Sequence, residues 1–178
     1  GLAHYLAEQG FDTFIPDLRG KGRSWPPVSA WVNYRVGDAV NQDIPAILDT
    51  IQALKGAAPA FWITHAWGGV LASSVLARFP GYQASLNGLI HFGSHRVAIQ
   101  RSLSRLIWLD GMWGWLASLV ARCKGYMPGR GLRIGAENEF LGIQQDSSNW
   151  LQGGAWIDPQ DQFDYGEALS KGLNFPPT

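Results

Sequence analysis

Up to about residue 96 the apolar positions follow helical and strand periods in turn, and beyond it they follow neither cleanly. Leu2, Tyr5 and Leu6 share one helical face, and Gly10 is placed to end that helix. The run FDTFIPDLRG (11–20), rich in aromatic and β-branched residues, predicts a strand, and KGRSWPPVS (21–29) a turn-rich loop. A helix is expected from Asp43, which would cap it, with Pro45 in its first turn and Ile44, Ile47, Leu48, Ile51 and Leu54 as its apolar stripe. APAFWIT (58–64) predicts a second, buried strand. A helix from about Gly68 to Phe79 carries Val70, Leu71, Val75 and Leu76, and LNGLIHFGS (86–94) predicts a third strand. This order predicts an α/β fold, a parallel sheet with helices on both faces, whose sites lie at the carboxyl ends of strands.

From Arg96 onward no strand alternates with a helix. Ser102 to Cys123 reads as a pair of aromatic helices, followed by the loop GYMPGRGLRIG (125–135). We expect residues 1–96 to form a partial core and 97–178 a helical lid over it. Trp108, Trp113, Trp115 and Trp156 belong to this second part, either packing it or lining an apolar substrate pocket. The spacing of Gly129, Gly131 and Gly135 is one residue too long for a dinucleotide fingerprint and reads as a flexible turn. The apolar stretch Leu106 to Val120 is shorter than the roughly 20 residues a membrane span requires.

Composition narrows the partners. The chain has 178 residues, 46% of them hydrophobic, enough for one sizeable core. Fourteen Lys and Arg balance fourteen Asp and Glu, so overall charge provides no attraction to nucleic acid or to anionic lipid. Cys123 is the only cysteine, and no Cys/His cluster has zinc spacing. That pattern leads us to expect no metal or other cofactor and a cytoplasmic setting.

The sharpest chemical signal is FWITHAWGGV (61–70), a strand, a tight turn and a helix. A nucleophile elbow places its nucleophile on such a turn, flanked by small residues because the chain passes close to its neighbours. Thr64-His65-Ala66-Trp67-Gly68-Gly69 resembles the Gly-His-Ser-Trp-Gly-Gly elbow of α/β-hydrolases, with Thr64 for the first glycine and Ala66 for the serine. Upstream, DLRGKGRS resembles a loop of the same superfamily through Asp17, Arg19, Gly20, Gly22 and Ser24. The resemblance runs from Gly1 to about Arg96, with both motifs in the family's order.

The resemblance implies a doubly wound parallel sheet of the α/β-hydrolase type, partial here, with an inserted helical lid. It implies an esterase- or lipase-like acyl hydrolase, with residue 66 as nucleophile position and the Trp67 amide in the oxyanion hole. Asp17 and Arg19 would order their loop as a buried pair. The acid, the general-base histidine and the upstream oxyanion loop are expected outside Gly1–Thr178, so the chain reads as an internal piece of a longer hydrolase. His65 is expected to pack inside and His4 to lie on the surface, while His91, Ser94 and His95 end the third strand near the site without an accompanying Asp. With Ala66 no covalent attack occurs at this position, whether by serine or by the aspartate of similar elbows. Two readings remain open, a disabled hydrolase for a small apolar ester and a non-catalytic ligand- or partner-binding module.

Overall fold

The computed structural model describes residues 1–56, 58, 60–97, 115, 117–133 and 135–173. Its elements run in order as α1 (Leu2–Glu8), α2 (Val36–Asp38), a π-helical turn (Ala39–Asp43), α3 (Ile44–Lys55), β1 (Ala60–His65) and α4 (Trp67–Arg78). A 3₁₀ segment (Pro80–Ser85), β2 (Leu86–Phe92), α5 (Ala117–Lys124), β3 (Tyr126–Met127), β4 (Glu139–Phe140), α6 (Leu141–Leu151) and α7 (Tyr165–Ser170) follow.

β1 and β2 pair in parallel, with Trp62 opposite Leu89, Ile63 opposite Ile90 and Thr64 opposite His91. Helix α4 crosses between them, as a parallel connection requires. The sheet faces differ. Trp62 and Thr64 are half-buried, whereas Phe61, Ile63 and His65 on the opposite face are exposed, together with Ile90 and Phe92 of β2. His65 therefore lies on an open apolar face, not packed inside.

Several sequence expectations are revised. Residues 11–18 form no strand, since no described strand lies beside them to complete a ladder. Asp43 is not a cap, because α2, the π-helical turn and α3 run on continuously from Val36. Val36 and Val40, both fully buried, extend the spacing of Ile44 and Leu48 by two steps of four residues. Beyond residue 96, β3 and β4 form a short antiparallel pair where no strand was expected.

One apolar core joins early and late parts of the chain. Tyr34, Val36, Ala39, Val40, Val70, Leu71 and Val75 pack with Phe140, Ile143, Trp150 and Tyr165. The carboxylates drawn into it are paired. Asp146 holds the Arg35 guanidinium and the Val36 amide. Asp158, fully buried, accepts from Tyr165 Oη at 2.7 Å and from the Gln160 amide at 2.9 Å. Buried carboxylates require such partners, because unpaired they cost several kcal/mol, of order ~3–5.

Candidate functional site

β1 ends at His65 and α4 begins at Trp67, so Ala66 alone connects them. Its φ of 49° and ψ of −121° are those of the first central residue of a type II′ turn, a conformation that favours glycine. The turn is held from both sides. The Ala66 amide donates to the Phe92 carbonyl at 2.9 Å, and its own carbonyl accepts from the Gly69 amide at 3.2 Å. Strain of roughly 1–3 kcal/mol persists where the surroundings fix the backbone in this way. Ala66 is exposed, and among the described residues no side chain caps α4. The Trp67 and Gly68 amides thus stand at the positive end of a twelve-residue helix without a capping acceptor.

Beneath that first turn the strand ends bring together Thr64, His91 and Ser94. Thr64 Oγ1 lies 2.5 Å from His91 Nδ1. Gly69 is needed for their close approach: a Cβ there would meet the Ser94 side chain and come within 2.7 Å of His91 Nδ1. Ser94 Oγ and Trp67 Nε1 are buried without a hydrogen-bond partner among the described residues. His95 lies apart, its Nδ1 3.2 Å from the Gly93 carbonyl, and His4 is on the surface beside Glu8.

The chemistry available at the turn follows from these positions. Residue 66 offers a methyl group. The Thr64 hydroxyl, two residues earlier, is directed under α4 and engaged by His91, and among the described residues His91 makes no hydrogen bond to a carboxylate. A hydroxyl–imidazole contact is therefore present without an orienting acid, and no oxygen stands at the tip of the turn. Nor do the described residues include a metal-binding cluster of His, Cys, Asp or Glu.

The loop at 17–24 is ordered by both Asp17 and Arg19, though not as a pair. Asp17, exposed, accepts from the Arg23 amide at 3.2 Å, and its carbonyl accepts from Ser24 Oγ at 2.6 Å. Gly22, at φ 50°, has no room for a Cβ against the Asp17 carboxylate. Gly20 packs against the Phe140 ring. Arg19 instead reaches Asp43, with Nε 2.7 Å from Oδ1, and Tyr34 Oη donates to the same carboxylate at 2.7 Å. The Asp43 hydrogen bond raises the Arg19 pKa, and burial, followed by the bond to Asp43, raises that of Tyr34. Asp43 as the hub of this loop was missed by sequence reasoning, which took it for a cap. The four-residue spacing of Val36, Val40 and Ile44 was the available signal that the helix starts earlier.

Of the four tryptophans singled out, Trp108 and Trp113 lie outside the described residues. Trp115 is 70% exposed. Trp156 stacks edge-on to Trp150 and donates from Nε1 to Ser74 Oγ at 3.1 Å. Trp67 also reaches Trp150, with ring centroids 5.9 Å apart. An open apolar groove of about 370 Å³ lies away from Ala66, between Phe14, Ile15 and Pro16 and the Ile47, Ile51 and Leu54 side of α3.

Residues 1–132 match the family described as serine aminopeptidase, S33. The carboxymethylenebutenolidase homolog of Mus musculus is 25% identical over 92 residues, covering 48% of this chain and 38% of that protein. The chain thus spans well under half of that relative's length. No solved structure matches significantly.

Proposed function

Because the chain belongs to the serine aminopeptidase S33 family of the α/β-hydrolase superfamily, we propose that it is an acyl-hydrolase scaffold whose nucleophile position, residue 66, is occupied by alanine. Its substrate class is a small apolar carboxylic ester, with the Trp67 amide as one oxyanion donor. The observation that carries this reading is the backbone of Ala66. Alanine gains nothing from a strained, exposed, glycine-favouring conformation between a parallel strand and an uncapped helix. An attacking side chain would be presented by it at a helix N-terminus.

In this reading residues 1–96 contribute to a doubly wound core and 97–178 to a lid, with Trp108, Trp113 and Trp115 forming the apolar wall of the substrate site and Trp156 its packed base. Asp17, Arg19, Gly20, Gly22 and Ser24 hold the loop beside it, and Gly68 and Gly69 let α4 approach the strand ends. The scaffold works without metal or other cofactor, in a cytoplasmic setting. Ala66 itself favours a second reading, in which the fold binds an ester or acid without turning it over.

The two are separated by Ala66→Ser in the intact protein, assayed with p-nitrophenyl butyrate against the parent under identical conditions. Hydrolysis above the parent supports a disabled hydrolase, since one missing member removes most of a triad's rate. A folded serine variant that stays at the parent's rate and still binds the ester puts the binding module first.

A further inference from the structure

Overall neutrality conceals a segregation of charge. Residues 115–133 carry four cations, Arg122, Lys124, Arg130 and Arg133, and no acid. All four are exposed, and among the described residues none is paired with a carboxylate. Most described cations elsewhere behave differently: Arg19, Lys21, Arg35, Lys55, Arg78 and Lys171 each pair with an acid, whereas Arg23 is exposed without an ion pair among the described residues. Arg96 is bonded to the Gly154 carbonyl.

Large apolar side chains lie bare in the same stretch and in the loop it touches. Helix α5 buries Ala121 and turns Leu119 and Arg122 outward, with Trp115 four residues before Leu119. The turn that follows α5 lies against the first loop, because Gly125 has no room for a Cβ beside Ala30. Trp31, 94% exposed, follows Ala30 in the chain, as Lys124 precedes Gly125. Beyond β3 the chain closes back on itself through the Gly135 amide and the Gly129 carbonyl, 3.3 Å apart, and presents Arg130, Leu132 and Arg133.

We propose that this face, made of the outer side of α5, the glycine loop after β3 and Trp31, docks on an anionic lipid surface. Charge complementarity selects the partner, because unpaired cations beside exposed tryptophans match a layer with negative headgroups above an apolar interior. Leu119 and Leu132 favour lipid over nucleic acid, since aliphatic side chains offer bases no stacking surface. No helix among the described residues is long and apolar enough to cross a membrane, so the contact is interfacial.

The test is co-sedimentation of the chain with vesicles of phosphatidylglycerol and phosphatidylcholine in equal parts, and with phosphatidylcholine alone. Binding to the mixed vesicles only, weakened by salt, is expected. Each basic residue at such a surface is worth about fivefold, so the double variant Arg122→Gln/Lys124→Gln lowers partitioning roughly 25-fold. Trp31→Ala, at a side chain that packs on nothing, lowers it several-fold without affecting the fold. Lys171→Gln, on a cation paired with Glu167, leaves it unchanged. Equal loss in Lys171→Gln, no partitioning of the folded chain, equal partitioning on both vesicle types, or tighter binding to poly(U) RNA than to vesicles would each overturn the proposal.

Discussion

Helices α3 and α4 both have twelve residues, yet α3 buries none of them, while α4 buries Gly69, Val70, Leu71, Ala72, Ser74, Val75 and Leu76. In the sequence α3 has the cleaner apolar stripe. The difference lies in what stands opposite. Helix α4 has β1 beneath it and Phe140, Trp150 and Tyr165 among its core neighbours. Among the described residues, the outer part of the α3 stripe faces only Phe14, Ile15 and Pro16, which leave an open groove. Periodicity fixes where a helix turns its apolar side, and a partner decides whether that side leaves water. It is therefore α4, held by packing, that can support a strained residue at its N-terminus.

The largest expected effect falls on α4. Leu76 is fully buried, and Leu76→Ala is expected to cost about 2–5 kcal/mol in urea denaturation, from lost burial and the cavity left behind. A cost under about 1 kcal/mol would place α4 in the same class as α3 and end the contrast.

Next in size is the turn that α4 supports. Ala66→Gly relieves a positive φ while adding freedom to the unfolded chain, for a net gain of roughly 1 kcal/mol in thermal or chemical denaturation. Ala66→Val, β-branched in the same conformation, is expected to lose stability. The reverse order for the two variants would mean that residue 66 is not strained.

A smaller effect tests the tie between the end of α4 and α3. Tyr82 Oη, just past α4, donates to Asp49 Oδ1 at 2.7 Å. Burial, and then this bond, push its pKa up to about 12. A phenol whose folded pKa is raised contributes stability in full below the unfolded value near 10, and that contribution is lost as pH rises through about 12. Tyrosinate absorbance should therefore show a late step near pH 12 that Tyr82→Phe removes. The smallest effect is expected on the open side of α3, where Leu54 is 68% exposed. Leu54→Ala should stay within about 0.5 kcal/mol of the parent, and a larger loss would show that the groove is closed in solution.

How much of this was legible in the sequence depends on the range of the interactions involved. The β1–α4 turn was readable because small residues, a β-rich run and a helical stripe adjoin within ten positions. α4 and β2 were equally visible. The strand expected at 11–20 was not formed, since a strand exists only through its ladder partner and no local pattern reveals whether one is beside it. Asp43 was misjudged because a local signal, an Asp before Pro45, fits a cap, while Arg19 and Tyr34 claim its carboxylate through the tertiary fold. The Asp158 network had no signal at all, since besides the nearby Tyr165 it draws on Asn41 and Arg78 from far along the chain. Overall charge was legible from the sequence as balanced, while pairing was not: only the fold shows which cations, such as those of 122–133, are exposed without an ion pair among the described residues.

The central claim is that residue 66 stands where an acyl hydrolase holds its nucleophile. Its most direct test is to treat Ala66→Ser in the intact protein with a fluorophosphonate and locate the adduct by peptide mass spectrometry. The account predicts a covalent adduct on the introduced serine and none on the parent, with Ser94 and Thr64 unmodified in both. A folded variant that carries no adduct at residue 66, or that is labelled at Ser94 or Thr64 instead, would contradict it.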